Sequence, residues 1–367
     1  MFSPENYHII FLIMVLALTI FYVHAIRHIG AESLLRRKGA SLYVNLIITL
    51  IFTLFLGLRP ISGLFIDTMT YYQIYSDIQQ GVPTSAFVEQ DKLFGYLMVL
   101  SASIGLSANV FFLIIEALYL FPVLWACHRL SKNSTDLLML FVVGAFSFYS
   151  YGVNGIRNGM ALSFVMLGMT FIQGGAKDKL IFLFLSVISV MCHFSCILPV
   201  ICAIAASSIK KPIVFFYFWI FSIVVSLFIG EPISNFFASL GFDDRLSYIN
   251  AEVNDELFSR AGFRWDFLLY SIVPIVLGWY IIYNKHIINR TYSLILGTYM
   301  LANAFWIMII RAEYSNRFAY LSWFLYPIVL AYPLVKFPIW RHRQGQNVAL
   351  IMIAHFAFTF GMFLIDK

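Results

Sequence analysis

The chain has 367 residues, 61% of them hydrophobic and only 11% charged. A soluble domain averages about 25% charged residues and could not hide this much apolar surface, so a soluble globular enzyme is excluded. The formal net charge of +6 reflects topology in such a chain, and no nucleic-acid partner is expected from it.

The first element is an apolar block at 7–26. It has no basic region before it and no small-residue cleavage site after it, so it reads as a retained span. Further blocks of about 17–21 apolar residues, the length that crosses a hydrocarbon core, follow at 41–58, 109–127, 137–153, 157–174, 180–192, 195–207, 213–230, 267–283, 291–309, 317–335 and 347–365. Residues 93–106 are too short for a span and read as a re-entrant or interfacial helix. Residues 180–207 are long for one span and short for two; a tight hairpin near His193 keeps the downstream lysines on one side. The expectation is an all-α, polytopic transmembrane helical bundle of about twelve spans, a single integral-membrane domain over 1–367. Its large outer loops fall at about 59–92 and 231–266, and the second carries an apolar stripe, Leu246, Ile249, Val253 and Leu257, of an amphipathic helix.

Lys and Arg set the orientation. The loop "RHIGAESLLRRKG" is placed in the cytoplasm and both termini outside. The outside then holds Arg59, Arg157, Arg245, Arg260, Arg264, Arg311 and Arg317 but only Lys92 and Lys367 among lysines. Guanidinium is preferred where a planar fork grips phosphate or carboxylate oxygens. Chance and local ion pairs are the bland account of the same excess.

In the first outer loop, Asp67 is placed to cap a helix ending near Gly81. It reads either as a cap or as a general base or arginine partner. Tyr71 and Tyr75 share one face at i, i+4, either for stacking on sugars or as headgroup-zone tyrosines. Glu116 lies inside a span, where a charge needs a partner; a buried arginine and a proton path are both open. Arg157 opens a span beside Asn154 and Asn158, above Gly155, Gly159 and Ser163 at four-residue spacing, which lets another helix approach closely. Its side chain either snorkels or, with the positive helix end, makes an anion seat. His193 and Ser195 sit at the proposed bend, as packing residues or with His193 as a proton acceptor. Arg311, Arg317 and Tyr320 flank a short outer loop in which Glu313 is a candidate ion-pair partner. Cys127, Cys192, Cys196 and Cys202 lie in apolar context and read as buried hydrophobes. No ligand set for a metal is completed, and no Walker loop or room for a Rossmann domain exists, so no metal or cofactor is expected.

The order of "D-T-x-x-Y" (Asp67, Thr68, Tyr71), "I-R-x-x-x-A" (Ile156, Arg157, Ala161), "H-x-S" (His193, Ser195) and "N-R-x-x-Y" (Asn316, Arg317, Tyr320) resembles the EpsG-like branch of the Wzy-type polymerases of bacterial O-antigen and exopolysaccharide. The resemblance runs over about 57–335, and Asn158 stands where the family usually has Gln. It implies a membrane glycosyltransferase that moves a growing glycan from polyprenyl pyrophosphate onto a new lipid-linked repeat at the outer leaflet. Chain-length regulators and flippases are the protein partners it implies, and the lipid-linked glycan is both donor and acceptor. On that reading Asp67, Arg157, His193 and Arg317 carry the chemistry. Arg59, Tyr71, Tyr75, Asn154, Asn158, Arg245, Arg260, Arg264, Arg311 and Tyr320 bind the substrate. A flippase for the same lipid-linked glycan is the main alternative, and a membrane acyltransferase using His193 a third.

Overall fold

Apolar sequence without a soluble outlet makes helices, because every backbone N–H and C=O must be paired within the segment. The computed structural model describes residues 3–82, 91–239, 263–311 and 315–365, and no strand occurs among them. In chain order the helices are α1 (Pro4–Ile26), α2 (Ala31–Arg36), α3 (Leu42–Gly57), α4 (Ile66–Gln79), α5 (Lys92–Ser103), α6 (Ala108–Leu130), α7 (Thr135–Val143), α8 (Phe146–Val153), α9 (Ile156–Met169) and α10 (Ala176–Cys192). There follow α11 (Ile197–Ser208), α12 (Ile213–Ser239), α13 (Trp265–Trp279), α14 (Arg290–Met308), α15 (Ser315–Trp323), α16 (Tyr326–Lys336) and α17 (Gln344–Ile365).

Among the described residues five segments are long and apolar enough to cross a membrane: Pro4–Ile26, Ala108–Leu130, Trp265–Asn284, Arg317–Lys336 and Arg341–Ile365. A bent pair, Lys132–Val143 and Phe146–Val153, makes a sixth if it counts as one span. Shorter apolar helices, including Leu42–Gly57, Ile156–Met169 and Phe194–Ser208, accompany them. The protein is therefore an all-helical membrane protein, in which five or six of the described helices reach spanning length against the twelve or so spans expected. One difference has a local cause. The expected straight span 137–153 is broken at Gly144 and Ala145, where the two halves meet at 75°. The carbonyls freed by the break are satisfied from α17: Thr359 donates to Gly144 O at 2.7 Å, and His355 Nε2 lies 2.9 Å from Phe141 O.

The helices group into two units, Met1–His193 with Ala331–Lys367, and Phe194–Leu330. In the first, α6 packs against α3 and α9, α9 also against α8 and α10, and α1 against α17. The small-residue stripe of α9 works as its spacing predicts. A Cβ on Gly159 would stand 2.9 Å from the Tyr151 carbonyl oxygen, so only hydrogen fits against α8. Ser163 donates to Leu118 O of α6. Gln344, fully buried, donates to Leu334 O and Phe337 O and accepts from the amides of Ile339 and Trp340, which fixes the turn into α17.

In the second unit α14 is the centre, against α11, α12, α13 and α15. Apolar burial gives helices in lipid little reason to associate, so polar contacts matter. Asn303 accepts from Trp219 Nε1 and donates to Ser271 and Ser322, while Trp323 Nε1 donates to Ser271. That network pins α12, α13, α14 and α15 in register. α12 kinks at Ile229, ahead of Pro232, whose ring and missing N–H disrupt the preceding turn.

Candidate functional site: an arginine, aspartate and histidine cluster

The segment 59–82 folds as its sequence predicts, with one correction. Helix α4 starts one residue before Asp67, and Phe65 occupies the N-cap, so Asp67 lies in the first turn rather than at the cap. A carboxylate there still faces the positive helix end. The helix stops at Gly81, whose φ of 77° only glycine adopts cheaply. Gly81 N–H bonds to Ile78 O and Val82 N–H to Asp77 O, closing both orphan carbonyls.

On α4, Tyr71 and Tyr75 both turn inward. The Tyr75 hydroxyl donates to Leu106 O at 2.9 Å and its ring stacks on Phe111, so this tyrosine is packed interior and presents no face to a sugar. Tyr71 is also buried, but its hydroxyl accepts from Arg157 Nε at 2.8 Å.

Arg157 stands in the first turn of α9 and is 8% exposed. Its Nη1 is 2.5 Å from Asp91 Oδ2. The same oxygen is 3.1 Å from His193 Nδ1. Asp67, half-buried, adds to the negative field around this guanidinium. Four segments distant in sequence thus converge: the start of α4, the start of α5, the start of α9 and the end of α10.

Local structure explains each position. Asp91 is the N-cap of α5, yet its carboxylate makes no capping bond and turns to Arg157 and His193 instead. Helix α5 has only 12 residues and ends at Ser103, two residues ahead of the positive-φ Gly105, in keeping with a short helix rather than a span at 93–106. His193 is the C-cap of α10 with extended backbone (φ −156°, ψ 115°), and a 3-10 turn, Phe194–Cys196, follows. Helix α10 ends where the sequence placed a bend, and the imidazole at that end meets Asp91. Asn154 caps the end of α8 with its Oδ1 buried and unpartnered, and Asn158 is half-buried in the first turn of α9.

Asp91 is the residue that sequence reasoning missed. Its one signal is an acidic N-cap followed by Lys92 and an apolar run, and that pattern ordinarily means a helix start.

Arg59 was expected to bind substrate, and the structure places it elsewhere. It is fully buried at the end of α3, where Nε donates to Thr68 at 2.8 Å and Nη1 to Leu56 O at 2.8 Å. Nη1 also pairs with Glu116 at 3.3 Å, and the guanidinium lies 4.8 Å from the Phe112 ring centroid. An arginine sealed in this way cannot reach a ligand. The pairing also settles Glu116 as the partner of a buried arginine.

Of the other expected arginines, Arg264, Arg311 and Arg317 lie in the second unit. Arg264 is held by Asp266 through two bonds, 3.0 and 2.6 Å, and covers the Phe267 ring, so it is a local ion pair at the start of α13. Arg311, half-buried, faces the Phe263 ring. Arg317 is exposed in the first turn of α15, and Tyr320, one turn on, packs edge-on against Trp323. Arg245, Arg260, Glu313 and the 246–257 stripe lie outside the described residues. The four cysteines are buried, as expected. Among the described residues no group of three or more His, Cys, Asp or Glu could hold a metal ion.

What the cluster can do follows from its atoms. Arg157 is a fixed cation at a positive helix end, its orientation set by Tyr71 and Asp91. With Nδ1 turned to Asp91, neutral His193 carries its proton on that nitrogen and its lone pair on Nε2. A fixed cation and an oriented proton acceptor side by side suit transfer of a group away from an anionic leaving group.

Compared with known proteins, the chain matches the model of one family, described as EpsG family, over residues 42–367. No curated protein and no solved structure matches it.

Proposed function

The chain belongs to the EpsG family, and from that premise we propose that it is a membrane glycosyltransferase that lengthens a polysaccharide from polyprenyl-pyrophosphate-linked repeats at the outer face of a bacterial plasma membrane. The observation that carries this reading is the Asp91 carboxylate oxygen shared by Arg157 and His193.

The chemistry is a displacement at the anomeric carbon of the growing chain. The bond from that carbon to the pyrophosphate oxygen breaks and its electron pair leaves with polyprenyl pyrophosphate. The bond from the acceptor hydroxyl oxygen forms, and the hydroxyl proton goes to His193 Nε2. Negative charge grows on the leaving diphosphate, and Arg157, already oriented, stabilises it without reorganising. Removing one such preorganised donor typically costs about 10²–10³ in rate. Asp91 orients both groups. Asp67, beside the same cation, is the second candidate for the base. Arg317, on its own unit, is a further candidate contact for a diphosphate, with Tyr320 beside it for a sugar ring. Asn154 and Asn158 are candidates for hydrogen bonds to sugar hydroxyls.

The test is reconstitution. Purified protein with lipid-linked repeats yields a ladder of longer glycans and releases one polyprenyl pyrophosphate per bond made. Movement of the repeat across liposomes with no chain growth would replace this reading with a flippase.

A further inference from the structure

Thr68 is the least conspicuous residue of the first motif, and its contacts give it a role. It is fully buried. Its Oγ1 accepts from Arg59 Nε and donates to Val153 O, both at 2.8 Å. Val153 is the last residue of α8, and four positions later the chain places Arg157. Tyr71 follows Thr68 by one helical turn. The chain of contacts Glu116–Arg59–Thr68–Val153 therefore ties together, from beneath, the two segments whose side chains meet at the Tyr71–Arg157 bond.

The hub is sealed from solvent, with Arg59 Nη2 and Glu116 Oε2 buried outside its hydrogen bonds. Arg59 is fully buried, and Glu116 is 1% exposed. Arg59 also donates to Leu56 O, so the cation neutralises the negative end of α3 while it braces α4. Neither Arg59 nor Thr68 can touch a substrate, and any influence on chemistry must pass through the segments they hold.

We propose that Arg59 and Thr68 are positioning residues: they set the register of α4 against the α8–α9 junction and so fix the distance between Tyr71 and Arg157. This rests on the transferase reading for its kinetic consequence but not for its structural one. A hydroxyl is required because one oxygen must accept from the arginine and donate to the carbonyl at once. Serine can do the same, whereas valine keeps the shape and does neither.

The experiment compares wild type, Thr68→Val and Thr68→Ser in two measurements. In the ladder assay, Thr68→Val is expected to lower kcat about tenfold or more, a barrier change of at least 1.4 kcal/mol, with KM changed less than about twofold, while Thr68→Ser restores kcat. Loss of activity that only follows loss of folded protein, with kcat per folded molecule unchanged, overturns the proposal. Hydrogen exchange of the same proteins needs no turnover. Faster exchange in 66–79 and 156–169 for Thr68→Val, and not for Thr68→Ser, supports the brace, and unchanged exchange overturns it. If wild type makes no ladder while exchange responds, the transferase reading fails and the brace stands.

Discussion

Asp91 and Arg157 are 66 residues apart in the chain, and their side chains meet at 2.5 Å. Both are largely withdrawn from solvent, Asp91 at 1% exposure. Desolvating such a pair can cost as much as its attraction returns, so stability alone is a weak reason for it. Breaking it from one side is a different matter, because the remaining charge is stranded. Asp91→Asn is expected to destabilise by about 3 kcal/mol. The cycle of Asp91→Asn, Arg157→Gln and the double variant should show a coupling of about 1–3 kcal/mol. Thermal or denaturant unfolding in detergent measures it, and additive effects would mean the pair is not formed in the membrane.

Arg157→Lys keeps the charge and loses the fork. Lysine is a point charge and cannot bond Tyr71 and Asp91 in one plane while facing an anion. Ladder formation should fall about 100-fold or more. Binding of a short polyprenyl diphosphate should weaken less, since charge attraction survives. Full activity in this variant would remove the argument that a shaped guanidinium is needed.

His193 and Asp67 are separated as bases by one pair of variants. His193→Ala is expected to reduce kcat by about 10²–10⁴, the usual contribution of a positioned proton acceptor, with donor binding retained. Asp67→Asn removes a negative charge beside Arg157 and is expected to strengthen binding of the anionic donor modestly with kcat retained. The reverse pattern, with Asp67→Asn inactive and His193→Ala active, would transfer the base role to Asp67.

The Arg59–Glu116 pair tests burial directly. Glu116→Ala leaves a sealed cation without its partner and should cost about 3–5 kcal/mol. The double replacement Arg59→Met with Glu116→Leu should recover most of that loss, because well-packed apolar residues often replace a buried pair at no net cost. Activity should not recover with it, since Thr68 has lost its donor. Unfolding measured alongside turnover separates the two, and a double variant as unstable as Glu116→Ala would contradict the pairing.

Much of this architecture was legible because helix length and apolar runs are written locally. The break at His193, the short helix after Asp91 and the glycine stop at Gly81 each follow from residues within a few positions. The partners of Arg59 and Arg157 were not legible in this way. Glu116 lies 57 positions from Arg59, and His193 lies 102 from Asp91; only packing brings them together. Counting arginines on one side of the membrane treated Arg59, Arg157 and Arg264 alike. The structure sorts them into a buried pair with Glu116, a member of the Asp91 and His193 cluster and a local ion pair with Asp266. The two inward tyrosines differ for the same reason, Tyr71 meeting an arginine and Tyr75 a backbone carbonyl. The bend at Gly144 and Ala145 escaped notice because its compensation comes from His355 and Thr359, over 200 residues away.

The most direct measurement is glycan length made by purified wild-type protein and by Arg157→Lys from polyprenyl-pyrophosphate-linked repeats alone. The account expects a ladder with stoichiometric release of polyprenyl pyrophosphate from the wild type, and almost none from the variant. A variant ladder equal to that of the wild type, or repeats carried across the bilayer with no glycosidic bond made, would contradict it.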